Sequence, residues 1–400
     1  MSSSDQLRLN GATAAPSRRQ PLLVGRPNVG DLDAFRRRME EMLERRWFSN
    51  DGPFVKEFEQ ALADRVGVRH CVTACNATVA MEIVARALDL RGEVIVPAYT
   101  FVATAHAFRW QEITPIFADM DPATHNIDPS VVEHLITPRT SAIVATHVWG
   151  RPCDTDAIEA IARRHDLRVV YDAAHAFGSS RRGRMIGQHG DCEVFSFHAT
   201  KFLNSFEGGA VATNDDQLAE RIRLMRNFGF SGFDNVVHLG TNGKMTEVCA
   251  AMGLTSLEVM DEIIEVNRRN HEAYRRGLEG VPGVRLLDYD ASERNNHQYV
   301  VIEVDPTECG IDRDGLVDML HENGVVARRY FWPGVHRMKP YRDEQPNARL
   351  LLPNTERIAR RVVVLPTGQQ VQDSDIEHVC KLIRISAFAD LDRSRVTKAA

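Results

Sequence analysis

Apolar and polar positions alternate along this chain in two rhythms. Residues 31–46 place Leu32, Phe35, Met39, Met42 and Leu43 at helical spacing, predicting an amphipathic helix with those five on one face. Gly52-Pro53 marks a turn, and a second amphipathic helix is expected from Phe54 to Val66. From about residue 70 short β-prone runs take over: 70–74, 93–97, 115–119, 142–150, 168–174, 193–198 and 209–213. Helical stretches separate several of them, notably 77–90, 129–136 and 154–166. Continuous apolar strands alternating with helices predict an α/β fold with a mainly parallel sheet covered on both faces. The last two runs are too close for a helical crossover, so one of them is expected to join antiparallel. Long helices are expected at 215–227 and 246–280. Beyond these, strands at 295–305 and 325–331 mix with helices at 312–323, 355–361 and 373–386. That texture predicts a smaller C-terminal α+β domain. The expected division is a loose arm at 1–20, a large domain at 21–255, a small domain at 256–388 and a tail at 389–400.

Composition narrows the function classes. The 400 residues are 43% hydrophobic and carry a formal charge of −6, which suits a globular protein and argues against a nucleic-acid partner. No apolar run is long enough to span a bilayer, and the first residues lack the pattern of a signal peptide, so a cytoplasmic protein is expected. Seven scattered cysteines read as reduced thiols, and no paired spacing suggests a metal site. Lys and Arg total 49, yet only six are lysines: Lys56, Lys201, Lys244, Lys339, Lys381 and Lys398. Guanidinium cannot replace a free amine as nucleophile, so the candidates for amine chemistry are few.

Sheets of this kind bind ligands at the carboxyl ends of their strands. Four such ends carry suitable residues. Cys75-Asn76-Ala77-Thr78 turns a strand into a helix, with Asn76 as N-cap and small residues where a phosphate could approach. Taken alone, this reads more often as an ordinary cap. Asp172 ends a strand and could pair with a protonated pyridine nitrogen, or could equally be a structural ion pair. Lys201 follows Ser196-Phe197-His198-Ala199-Thr200, where a desolvated amine would be nucleophilic, and Ser196 could add a phosphate contact. Phe206-Glu207-Gly208-Gly209 is a tight turn. Glycine fingerprints for dinucleotides, P-loops, nucleophile elbows and metalloprotease motifs are all missing from the sequence.

The ordered set CNAT, PAYTFVATAHA, YDAAHAFGS, GDCEVFSFHATK, FEGGAV, GTNGKMTEVCAAMGL and ARRYFWPGVH closely resembles the DegT/DnrJ/EryC1/StrS sugar aminotransferases. The match covers residues 21–387. It is most similar to actinobacterial 4-aminotransferases acting on dTDP-4-keto-6-deoxyglucose in antibiotic deoxysugar pathways. The resemblance implies fold type I and pyridoxal 5′-phosphate (PLP) as cofactor. It assigns Lys201 to the Schiff base and to proton transfer, and Asp172 to the pyridine nitrogen. It places His175 near the ring hydroxyl and Phe101 against the ring. Asn76, Ala77, Thr78 and Ser196 would hold the phosphate, with Asn242 reaching it from the other subunit of a homodimer. Trp47, Asn50, Phe331 and His336 would line the sugar pocket. Glutamate is the implied amino donor and a dTDP-keto-sugar the acceptor.

Three positions depart from the wider family. Asn76-Ala77-Thr78 replaces a commoner Ser-Gly-Thr, Phe206 stands where Gly is frequent, and Phe101 replaces a Trp. Sugar dehydratases of the same fold carry His in place of the Schiff-base lysine, so Lys201 favours transamination. The alternatives kept open are amination at C3 of a 3-keto sugar and a non-catalytic PLP-binding regulator.

Overall fold

The computed structural model describes residues 20–397, with side chains through residue 388. Apart from residue 20, the expected N-terminal arm lies outside the described residues.

Seven strands form the central sheet in the order His70–Ala74, Gly209–Thr213, Cys192–Ser196, Arg168–Asp172, Thr140–Thr146, Glu93–Pro97, Thr114–Ala118. All neighbouring pairs are parallel except those of Gly209–Thr213, which runs antiparallel to both its neighbours. The segment from 197 to 208 is too short for the crossover that a parallel partner needs, so the chain reverses. Helices cover both faces. Ala77–Ala87, Ala103–Arg109 and Asp216–Met225 bury Ala80, Val84, Phe108 and Ile222 against one face. Pro53–Val66 and Glu247–Glu258 bury Phe58, Leu62 and Leu254 against part of the other, and Thr155–His165 covers the rest. The strands are therefore apolar on both sides, which is why they read as continuous runs.

The first amphipathic helix spans Leu32–Arg45, but its buried face is narrower than expected. Phe35, Met39 and Met42 pack on the core, whereas Leu32 and Leu43 are 53% and 57% exposed. At about 100° per residue, these two leucines lie about 60–80° around the helix from Phe35, at the edge of the stripe. The long helix expected at 246–280 is broken at Val259, whose φ of −107° and ψ of 12° leave the helical region. Its second half, Met260–Leu278, leaves the core of the main sheet at Ile263 and carries Tyr274 and Leu278 into a separate apolar cluster. That cluster lies beside a three-stranded antiparallel sheet, Val284–Leu286, Val300–Val304 and Val362–Leu365. The strand expected at 325–331 is confined to Val325–Val326, which pairs with Leu22–Leu23. The chain then turns through cis peptide bonds at Tyr330–Phe331 and Trp332–Pro333. The helix expected at 373–386 continues to Thr397, through most of the expected tail.

Candidate active site

Three parallel strands end together, and their register decides what meets. Thr146 stands opposite Asp172, and Asp172 opposite Val194, two residues before Ser196. Asp172 is buried. Its Oδ1 accepts the Ala174 N–H at 3.0 Å, and its Oδ2 accepts the Thr104 hydroxyl at 2.6 Å. Beyond Ser196 the chain folds back on itself. The Lys201 N–H bonds the His198 carbonyl, and the Ser205 N–H bonds the Phe197 carbonyl. This turn leaves Lys201 half-buried. Burial lowers its amine to about 8, while the nearby charges of Asp172 and Tyr330 pull it back upward. An amine so tuned is partly free at neutral pH, as a nucleophile or proton carrier requires.

His175 completes this group. Its ring is parallel to that of Phe331 at 5.7 Å and meets Tyr299 edge-on at 5.0 Å. Burial, and then the Lys201 charge, push its pKa well below the usual histidine value, so the imidazole is neutral. Its Nδ1 is buried with no partner among the described residues. Such an orphaned atom near the Lys201 amine suits a polar ligand that supplies the missing bond.

A second element lies at the opposite edge of the same strand ends. Asn76 caps helix Ala77–Ala87 by accepting the Val79 N–H at 2.9 Å. The first two N–H groups of the helix, on Ala77 and Thr78, find no acceptor among the described residues. Gly209 pairs with both Ala74 and Ser196, so one glycine brings Ser196 alongside the helix start. A Cβ on Gly209 would come within 2.6 Å of the Ala77 nitrogen, so no larger residue fits. Free N–H groups, the Ser196 hydroxyl and a helix N-terminus form a donor set suited to a phosphate.

The other residues expected in the site are distributed less compactly. Phe101 is 57% exposed and lines a cleft of about 410 Å³ with Tyr330, Phe331 and Trp332. Asn242 is exposed and bonds Lys244 at 2.7 Å, and the adjacent Gly243 carbonyl accepts the Cys75 N–H of the same chain. His336 is buried and bonded to Glu356 at 2.9 Å, away from the cleft lining. Trp47 is half-exposed, with its indole N–H on the Ser49 carbonyl. Asn50 and Asp51 both take positive φ. Their loop is fixed by the Arg226–Asp51 ion pair at 2.6 Å and by Glu247, which accepts the Phe54 and Val55 N–H groups. One chain thus brings Lys201, Asp172, His175 and Phe331 together but keeps Asn50 in a separate group beside Arg226 and Lys244.

Sequence reasoning missed Thr104, Tyr330, Arg226 and Glu247. Thr104 and Tyr330 lie inside the quoted runs PAYTFVATAHA and ARRYFWPGVH, but nothing in their spacing ties them to Asp172 or Lys201. Among the described residues no group of three or more His, Cys, Asp or Glu could hold a metal ion, and no helix is long and apolar enough to cross a membrane.

Comparison with known proteins agrees with this geometry. Residues 31–384 match the family described as the DegT/DnrJ/EryC1/StrS aminotransferase family. The chain is 36% identical to a dTDP-4-amino-4,6-dideoxy-D-glucose transaminase of Shigella dysenteriae, over 91% of this chain and 99% of that relative. An Escherichia coli protein of the same name is 33% identical, over 90% and 97% of the two chains. Among solved structures, DesI in the presence of its TDP-sugar product superposes with a TM-score of 0.89 at 50% identity, covering 94% of this chain and 96% of that one. The strand-end amine and carboxylate, the orphaned imidazole and the phosphate-sized donor set all fit the cofactor of that family. The chain belongs to the DegT/DnrJ/EryC1/StrS aminotransferase family and is a PLP-dependent sugar aminotransferase of fold type I.

Proposed function

We propose that this enzyme moves an amino group from glutamate to C4 of a dTDP-4-keto-6-deoxy sugar in antibiotic deoxysugar biosynthesis. The observation that carries this reading is Lys201, an amine lowered to about 8 beside the buried Asp172 at the ends of parallel strands. The names of the relatives, dTDP-4-amino-4,6-dideoxy-D-glucose transaminases, supply the sugar and the position.

When bound, PLP supplies an electron sink that acidifies the C–H bond next to the amine nitrogen. The chain's residues do the rest. Asp172 would meet the ring nitrogen and keep it protonated. Neutral His175 would stand near the ring hydroxyl, with Phe101 against the ring. The Ala77 and Thr78 N–H groups left free by the Asn76 cap, with the Ser196 hydroxyl, would hold the phosphate. Lys201 would hold the cofactor covalently and hold or move the proton at Nζ. Glutamate would be the amino donor and the keto-sugar the acceptor.

The active unit in this reading is a homodimer, with Asn242 reaching the phosphate from the other subunit and Trp47, Asn50, Phe331 and His336 lining the sugar pocket. The same reading keeps the domain division at residue 255 and a cytoplasmic location. It is tested by assaying the purified holoenzyme, with glutamate, on dTDP-4-keto and dTDP-3-keto sugars and identifying products by mass. Amination of the 4-keto sugar is expected. Turnover of the 3-keto sugar alone would move the reaction to C3, and no turnover of either would overturn the proposal. Mixed dimers of Lys201→Ala and Asn242→Ala chains should regain one intact site.

A further inference from the structure

Asp172 is oriented by more than its own strand. Thr104, which donates to Oδ2 at 2.6 Å, comes from the first turn of helix Ala103–Arg109, on a different part of the chain. Thr104 Oγ1 lies 3.0 Å from Thr100 Oγ1, and Thr100 Oγ1 lies 3.2 Å from Thr146 Oγ1. All three threonines are buried. An ionised carboxylate can only accept, and each hydroxyl has a single proton. The Thr104 proton therefore goes to Asp172. The Thr100 hydroxyl donates to Thr146 Oγ1 and lies within reach of Thr104 Oγ1, so Thr104 keeps its one proton for the carboxylate.

We propose that Thr104 is a positioning residue that holds Asp172 in one rotamer for the cofactor's ring nitrogen. With Ala174 on Oδ1 and Thr104 on Oδ2, neither oxygen is free to rotate. A threonine serving only packing would satisfy its hydroxyl on the backbone carbonyl one turn earlier. Thr104 bonds a side chain 68 residues away instead. The inference rests on the reading that Asp172 pairs with that nitrogen.

The test compares the holoenzyme with Thr104→Val, Thr104→Ser, Asp172→Asn and the Thr104→Val/Asp172→Asn double variant. PLP affinity is read by spectroscopic titration of the visible band of the bound cofactor. Losing one hydrogen bond to a charged group should weaken PLP binding about 10-fold in Thr104→Val. Thr104→Ser should restore wild-type affinity. In the Asp172→Asn background, Thr104→Val should add less than about a 2-fold change, since interacting residues are not additive. Wild-type affinity in Thr104→Val would overturn the proposal, as would an equal loss in both backgrounds. If Thr104→Val does not fold, Thr104→Ala is judged by the same outcomes. If Asp172→Asn itself binds PLP as wild type, the underlying reading of Asp172 fails, which is a different result.

Discussion

The lowered amine of Lys201 makes a quantitative prediction for the apo protein. An ordinary lysine at 10.5 is about 0.1% neutral at pH 7.5, whereas one at about 8 is about a quarter neutral, a difference of about 200-fold in free amine. Acylation of the apo protein by a lysine-selective reagent, mapped by mass spectrometry with exposed Lys56 read alongside, should give a Lys201 rate that rises to a plateau with half-point near pH 8. The Asp172 charge holds the amine up, so Asp172→Asn should move the half-point lower. The shift also carries a stability consequence. Below pH 8 both folded and unfolded states are protonated, and the folded protein bears the full penalty on the charged form. Between about 8 and 10.5 the unfolded state binds more protons, so stability rises with pH across that window. Lys201→Met should therefore stabilise the apo protein at pH 7 by up to about 3 kcal/mol in chemical denaturation. A half-point near 10.5, or one raised by Asp172→Asn, would refute this account of the site's electrostatics.

Other substitutions probe the supports of the site. Glu247→Ala removes the carboxylate on the Phe54 and Val55 N–H groups and should cost about 2–3 kcal/mol, read as a lower Tm. Arg226→Met leaves the partly buried Glu59 unpaired and releases Asp51, and should cost about 3–5 kcal/mol in denaturant titration. Gly209→Ala drives a methyl to within 2.6 Å of the Ala77 nitrogen. It should weaken PLP retention on gel filtration more than it lowers the Tm of the apo protein. Equal loss of both would mean that Gly209 serves the fold alone.

Much of this molecule was legible before any coordinates. Strand and helix identity followed from periodicity, because strands buried on both faces are apolar throughout and surface helices are apolar on one side. The reversal before Gly209 followed from segment length alone. Lys201 stood out because five other lysines are all this chain has. Asp172 and Asn76 were visible because strand ends and helix caps obey local rules. By itself the sequence determined the element order, the family pattern and the shortlist of chemical groups, all set by neighbours in the chain.

The tertiary structure decided what those groups meet. Whether Lys201 is an ordinary surface amine or one lowered to about 8 depends on burial by distant segments. The Thr104–Asp172 bond joins residues 68 apart, and the Glu247 cap on Pro53–Val66 joins residues 193 apart. His336 and Phe331 are five positions apart, yet one turns to Glu356 and the other to His175. Leu32 and Leu43 share the helical spacing of Met42 but not its burial. Desolvation and side-chain hydrogen bonding arise from packing between elements, and one-dimensional spacing carries no record of which elements pack together.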